Sequence, residues 1–342
     1  MSEKKRIVFV VNPISGTHGK RAVLEVLESK LDREKYLFEV QRTERAGHAV
    51  EIAAGAVRDG VHMVVAIGGD GTINEVARSL IHTDTALGII PCGSGNGLAR
   101  HLQIPLDAKK AVDVINRGVI ECIDYGKINE YPFFCTCGVG FDAFVSFKFS
   151  KSGKRGLLTY LEKTLQESLN YKPDTYEIES KDGGNMKYEA FLIACANASQ
   201  YGNNAYIAPQ AMLNDGLMDV TILEPFTVLD VPSLAFQLFN RTIDQNSRIK
   251  TFRCKRLHIH REHKGVMHYD GDPVMSGQDI DVEIIENALK VVVPEADKKD
   301  YGVLQRASGY FNEFNSIGDA IVEDITSKNK RLLNRLRRKI DE

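Results

Sequence analysis

No apolar run in this sequence approaches the roughly 20 residues that a membrane-spanning helix needs, so none of its 342 residues is expected to cross a bilayer. Net charge is scarce as well: 44 Lys and Arg against 46 Asp and Glu leave a formal charge of -2. That balance disfavours a bulk nucleic-acid binder, although local basic patches stay open. Cysteine is sparse. Six occur, Cys135 and Cys137 form the one close pair, and no second pair or nearby histidine completes a zinc site. Buried, reduced thiols are the expectation, and a cytoplasmic location goes with them. The start, "MSEKKRIVFVVNP", is too short for a secretory signal and reads instead as a first strand.

What is present is ordinary in amount and particular in arrangement. Hydrophobic residues make up 43% and charged residues 26%, enough for a substantial core, and the length favours two domains over one. Strand and helix patterns alternate through the first part: strands at 6–11, 36–41, 64–67 and 86–91, helices at 20–31, 47–59 and after "GGDGT". That order predicts an open parallel α/β sheet over 1–122. Ligands bind such sheets at the carboxyl ends of the strands. Here those ends carry "NPISG", Thr43, "GGDGT" and "CGSGNG", so the glycine-rich turns should meet along one edge.

Near residue 120 the texture changes. Short strand-like segments separated by turn residues follow, among them "YPFFCTCGVG", "YEAFLIACAN", "DVTILE", "VMHYDGDPV" and "LKVVVP". They predict a mainly antiparallel β-sandwich over 123–295, interrupted by helices near 156–170 and 227–240. Residues 296–342 read as a helical tail, strongly basic at its end, which could lie on an anionic membrane surface, be a solvated helix end, or dock on a partner subunit as a homodimer contact.

Glycine admits close backbone approach to an anion, and a helix N-terminus offers free N–H groups to it. The loops at 68–72 and 93–97 are therefore candidate phosphate cradles, although a tight strand-to-helix turn explains either one alone. Neither a G-x-x-x-x-G-K-[ST] loop nor a G-x-G-x-x-G after the first strand is present, which disfavours P-loop and Rossmann enzymes.

The segments "VNPISG", "IGGDGTINEV", "PCGSGNGLAR", "CGVGFDA", "KRGLLTYL", "APQAMLNDGLMDVTIL" and "YDGDPV" occur in that order over roughly 1–295. Together they resemble the diacylglycerol kinase catalytic-domain family, which includes soluble bacterial lipid kinases and the sphingosine and ceramide kinases. The resemblance implies an ATP- and Mg²⁺-dependent kinase acting on a lipid hydroxyl at the membrane surface, most readily diacylglycerol, with a sphingoid base or ceramide as the nearest alternative. An NAD kinase-like enzyme and a nucleotide-binding regulator are further alternatives. By match to the family's loops, Asn12, Pro13, Ser15, Gly16, Thr43, Gly68, Gly69, Asp70, Gly71, Thr72, Asn74, Ser94 and Gly95 would surround ATP. Asp70 suits a Mg²⁺-linked role or help with the acceptor hydroxyl. Lys154 and Arg155 would face phosphates or be solvated. Asp215, with the carbonyls of Met212 and Leu217, would hold a structural Mg²⁺, or "NDG" is only a turn. The family usually reads Asp-Gly-Glu where this chain has Asp270, Gly271 and Asp272, so either aspartate could be the acceptor base, with Asp270 slightly favoured, or the segment is a surface turn with two solvated aspartates.

Overall fold

The computed structural model describes residues 3–14, 20–152, 171–180, 184–227 and 229–295. They belong to one compact unit, Met1–Glu295. Ser15, Gly16, Lys154, Arg155, the helix expected near 156–170 and the basic tail lie outside the described residues. Among the described residues no helix is long and apolar enough to cross a membrane.

The first part is the expected parallel sheet. Strands β1 (Lys5–Val11), β2 (Tyr36–Arg42), β3 (Met63–Gly68) and β4 (Ala86–Pro91) pair in parallel in the order β2-β1-β3-β4. Every residue of β3 and β4 is buried. Such unbroken apolar runs suit central strands covered by helices on both faces. Those helices include α1 (Lys20–Lys30), α2 (His48–Arg58), α3 (Asp70–Leu80), a short α4 (Gly97–His101) and α5 (Ala108–Arg117). Helix α3 buries Ile73, Val76, Ala77 and Leu80, the 3–4 spacing that makes one apolar stripe.

The second part is a sandwich. Its inner sheet has the order β12-β11-β10-β7-β14-β15, with every pairing antiparallel: β7 (Thr136–Gly140), β10 (Leu192–Ala196), β11 (Met218–Leu223), β12 (Ile249–Cys254), β14 (Gly265–Tyr269) and β15 (Asp272–Ser276). Facing it are β8 (Asp174–Ser180), β9 (Gly184–Ala190), β13 (Arg256–Arg261) and β16 (Asp279–Val293). Side chains from both sheets, such as Val139, Ile193 and Val220 with Ile178, Ile259 and Val282, form one core. On β8 burial alternates as Tyr176, Ile178 and Ser180 point inward, the period of a half-covered strand.

Three details depart from the segments read off the sequence. Strand β16 leaves the sandwich and joins the first sheet, pairing in parallel with β4 at Val291 and Leu87 and antiparallel with β5 (Val119–Ile128), which in turn pairs with the short β6 (Tyr131–Phe133). The two parts therefore share a continuous sheet across the expected boundary at 122. A helix, α6 (Phe141–Ser152), follows β7 directly where only the "CGVGFDA" motif was singled out. The segment "VMHYDGDPV" is not one strand but the β14–β15 hairpin. Its two-residue loop, Asp270 and Gly271, has φ of 49° and 87°. Asp-Gly is a favoured pair for a hairpin turn with positive φ at both positions. The helix expected near 227–240 is α7 (Val231–Phe239).

Candidate active site

The carboxyl ends of β1, β3 and β4 gather the residues that the resemblance expects around ATP. Asn12 Nδ2 donates to Thr72 Oγ1 at 3.1 Å, and Asn12 Oδ1 accepts from the Ile14 N–H at 3.1 Å. The side chain thus ties the first loop to the start of α3. Pro13 is exposed beside it. Thr43 is buried, and its N–H donates to the Val11 carbonyl at 2.9 Å. Gly71 and Ser94 are exposed at the loop rims, whereas Thr72 and Asn74 are buried.

The glycines bring these loops into backbone contact with each other. A Cβ built on Gly93 would lie 2.6 Å from the Gly69 Cα, and one built on Gly95 would lie 2.7 Å from Asp70 Oδ2. Neither approach leaves room for a side chain. The sequence suggested glycines that admit phosphate. In the fold they admit the second loop to the first.

Asp70 opens α3, and the second loop closes on its carboxylate. The Asn96 N–H donates to Oδ2 at 2.8 Å and the Gly97 N–H to Oδ1 at 2.7 Å. Asp70 therefore caps α4 from outside that helix, satisfying amides at its start. A carboxylate offers about four lone-pair sites, so about two remain for a ligand.

Asp270 comes from the opposite sheet. The Phe134 N–H donates to Oδ2 at 2.7 Å, and the Cys135 and Thr136 N–H groups donate to Oδ1 at 2.7 and 3.0 Å. About one lone-pair site stays open. Burial pushes the Asp270 carboxyl up to about 6, while the three amides and the Arg78 charge pull it back down. Asp70 and Asp270 line one cavity of about 110 Å³. Asp272 does not line it. Its side chain is 60% exposed and lies 3.7 Å from the Arg78 guanidinium.

Three further residues in this cavity escaped the sequence reading. Asp142, at the start of α6, has its Oδ2 3.0 Å from His268 Nε2 and accepts a 3.0 Å hydrogen bond from the Tyr201 hydroxyl. His268 is buried, and its Nδ1 has no hydrogen-bond partner among the described residues. Asp142 stands inside "CGVGFDA", the one signal that could have found it. His268 and Tyr201 meet it from 126 and 59 positions away, which no local pattern records.

The proposed structural-metal loop lies elsewhere. Arg253 bonds the Asp215 carboxylate and also Asp219, at 3.2 Å, and the Leu217 N–H donates to Asp215 Oδ1 at 3.2 Å. Gly216 takes φ of 73°, with its N–H on the buried Asp124 carboxylate at 2.8 Å, so this is a built turn inside a long loop and not a hairpin. Met212 is half-exposed. Among the described residues no three His, Cys, Asp or Glu side chains gather as a metal centre. A wider surface depression of about 370 Å³, lined by His82, Asp84, Cys122 and Lys290, holds none of the residues singled out, and its Lys290–Asp84 pair is closed on itself at 2.6 Å.

Residues 6–128 match the model of the diacylglycerol kinase catalytic domain, and residues 135–293 match that of the YegS C-terminal NAD kinase beta sandwich-like domain. The "Diacylglycerol kinase" of Bacillus subtilis (strain 168) is 30% identical over 274 residues, 78% of this chain and 90% of that protein. The "Probable lipid kinase YegS-like" of Serratia proteamaculans (strain 568) is 28% identical over 288 residues, 82% of this chain and 92% of that protein. A solved diacylglycerol kinase structure from Bacillus anthracis str. Sterne shares the fold, with a TM-score of 0.65 at 19% identity over 86% of this chain and 98% of that one. With the strand order, the facing sandwich and these matches in agreement, the chain belongs to the diacylglycerol kinase catalytic-domain family and is a lipid kinase.

Proposed function

We propose that this kinase phosphorylates the hydroxyl of diacylglycerol with ATP, and that the transfer takes place in the cavity between Asp70 and Asp270. The observation that carries the reading is that these two carboxylates, one from each sheet, line the same cavity. Phosphoryl transfer needs little covalent help from a protein and much positioning and charge neutralisation. On this reading the first-sheet loops around Asn12, Thr43, Gly68, Gly69, Thr72, Asn74 and Gly95 hold the nucleotide. Asp270 accepts the hydroxyl proton through its one open lone-pair site. A carboxyl near 6 is well matched to that task at neutral pH.

Mg²⁺ fits the donor set on the nucleotide side. It takes hard oxygen ligands and is commonly held by one or two carboxylates together with substrate phosphates and water, not by a closed protein cage. Asp70 would supply such an oxygen, with Asp142 nearby in the same cavity. When bound, the ion neutralises charge on the transferring phosphate. Asp215 is the weaker place for a cation, because Arg253 already balances its charge.

The acceptor lives in a bilayer, so reversible binding of the cytoplasmic protein to the membrane surface is part of the proposal. The domain limits proposed are 1–122 and 123–295, and the basic tail from 296 is offered for membrane or homodimer contact. Binding should strengthen with anionic lipid and weaken with salt. Sedimentation with vesicles of graded charge, using the full chain and a chain ending at 327, tests it; pelleting that ignores charge, salt and the tail discards it. The substrate test is radiolabelled ATP with diacylglycerol, sphingosine, ceramide and NAD side by side. Label on diacylglycerol is expected. Label on a sphingoid lipid alone, or on NAD alone, replaces the reading.

A further inference from the structure

We propose that Arg78 is a positioning residue, a clamp that fixes the distance between Asp70 and Asp270 by stacking on Tyr269 and pairing with Asp272. This inference rests on the acceptor reading given above.

Arg78 lies on α3 eight residues after Asp70, about 12 Å along one rigid helix. Its guanidinium carbon lies 5.0 Å from the centre of the Tyr269 ring, and one terminal nitrogen lies 3.7 Å from Asp272 Oδ2. The Tyr269 ring stacks in turn on Tyr131, with centroids 4.8 Å apart and planes 10° from parallel. Tyr269 and Asp272 flank the two-residue turn that carries Asp270. One helix therefore carries Asp70 and Arg78, and one turn carries Asp270 together with both partners of Arg78. Gripping the turn on both sides fixes where its carboxylate stands against the first sheet.

Two observations set this apart from an incidental surface pair. The guanidinium is mostly covered, 26% exposed, and its Nε is buried without a hydrogen-bond partner among the described residues. Leaving a buried N–H unpaired is costly, so the geometry favours the stack over a better-bonded orientation. A planar, delocalised cation on an aromatic face is also a role that lysine fills poorly. The clamp gives Asp272 a use other than chemistry: exposed and outside the cavity, it anchors the arginine. Around the turn the charged and titratable groups are Arg78 and Glu75 from α3, Tyr131 from β6, Cys135 and Cys137 at β7, His268 and Tyr269 from β14, and Asp272 from β15. Asp70 and Asp142 share the cavity with Asp270. The Arg78 charge also holds the Asp270 carboxyl lower than burial alone would leave it.

The experiment compares Arg78→Met, Arg78→Lys, Asp272→Asn and the Arg78→Met/Asp272→Asn double variant in the full chain, with ATP and mixed vesicles of diacylglycerol. Arg78→Met should lower kcat about tenfold, the scale of a small misplacement of reacting groups, with the KM for ATP within about twofold of wild type. Its acid pH limb should move upward, because a favourable charge beside Asp270 is gone. Arg78→Lys should return the limb to its place while recovering only part of kcat. The double variant should be little worse than Arg78→Met alone. A kcat for Arg78→Met within twofold of wild type, full recovery in Arg78→Lys, or additive losses in the double variant each overturns the clamp. A rise in the KM for ATP at constant kcat overturns it too, by moving Arg78 to nucleotide binding. If the wild-type chain labels no diacylglycerol, the acceptor reading fails. The coupling of Arg78 with Asp272 in thermal melts of wild type, Arg78→Met, Asp272→Asn and the double variant then decides the clamp alone, and additive shifts overturn it.

Discussion

Asp70 and Asp270 are built by the same device in two different ways. Both are carboxylates gripped by backbone amides, two on Asp70 and three on Asp270. The amides on Asp70 come from the next βα loop of the same sheet, 26 and 27 residues on. Those on Asp270 come from 134 to 136 residues back, brought near only when β7 pairs with β14. Asp70 sits at a helix start on a glycine-lined rim, whereas Asp270 stands half-buried in its hairpin turn with its carboxylate held on three amides. The local construction suits a site that admits a charged, hydrated nucleotide. The long-range one suits a site that must hold a single carboxyl in a low-dielectric place and raise its affinity for a proton.

The comparison breaks most severely at Asp70. Asp70→Asn should leave the fold intact and lower kcat by orders of magnitude, because the charge that manages the phosphates is lost. Its remaining oxygen still caps α4 at one amide, so the thermal cost should be on the order of 1 kcal/mol. Near-normal turnover in a folded variant removes Asp70 from the chemistry. Asp270→Asn should cost roughly 10²-fold in kcat, the usual scale for a lost general base. It should also be the less stable of the two, by about 1–3 kcal/mol, because an amide N–H₂ then faces the Phe134 N–H.

Asp270 has a pH signature in stability as well. Its carboxyl holds a proton to about 6 when folded and releases it near 4 when unfolded. The folded state therefore binds more protons between those values. The stabilisation is complete below about 4 and is lost as pH rises through 6, with a size on the order of 1–3 kcal/mol. Urea titrations across pH 4–7 should record that slope in wild type and lose it in Asp270→Asn.

A gentler perturbation leaves both acids in place. Gly95→Ala should push the added methyl against Asp70 Oδ2 and lower kcat about tenfold, with Asp270 chemistry unchanged. Smallest of all is Glu177→Gln, which breaks an exposed pair with Lys187 far from both acids. It should shift stability by no more than about 0.5 kcal/mol and leave kcat unmoved.

The nucleotide half was the more legible in sequence. The run before Gly68 and the 3–4 stripe after Asp70 are local signals, and both elements fall where that pattern places them. The sandwich was legible as a class but not in its joints. In α6, "FDAFVSFKFSKS" spreads four phenylalanines among small and polar residues without an apolar stripe, so packing against β14 and β15 decides its helix. "YDGD" carries a hairpin signal, and the turn at Gly271 was one of the readings its sequence left open. The Asp142–His268–Tyr201 group was hidden for the same reason as the amides on Asp270: strand pairing makes it, and strand pairing is not written in any short stretch.

The most direct test of the account is the pH dependence of kcat/KM for a lipid acceptor in wild type, Asp270→Asn and Asp272→Asn. The account predicts an acid limb with a midpoint about 6 in wild type, the same limb in Asp272→Asn with a several-fold lower plateau, and a flat, roughly 10²-fold lower profile in Asp270→Asn. A limb that survives in Asp270→Asn and disappears in Asp272→Asn contradicts it.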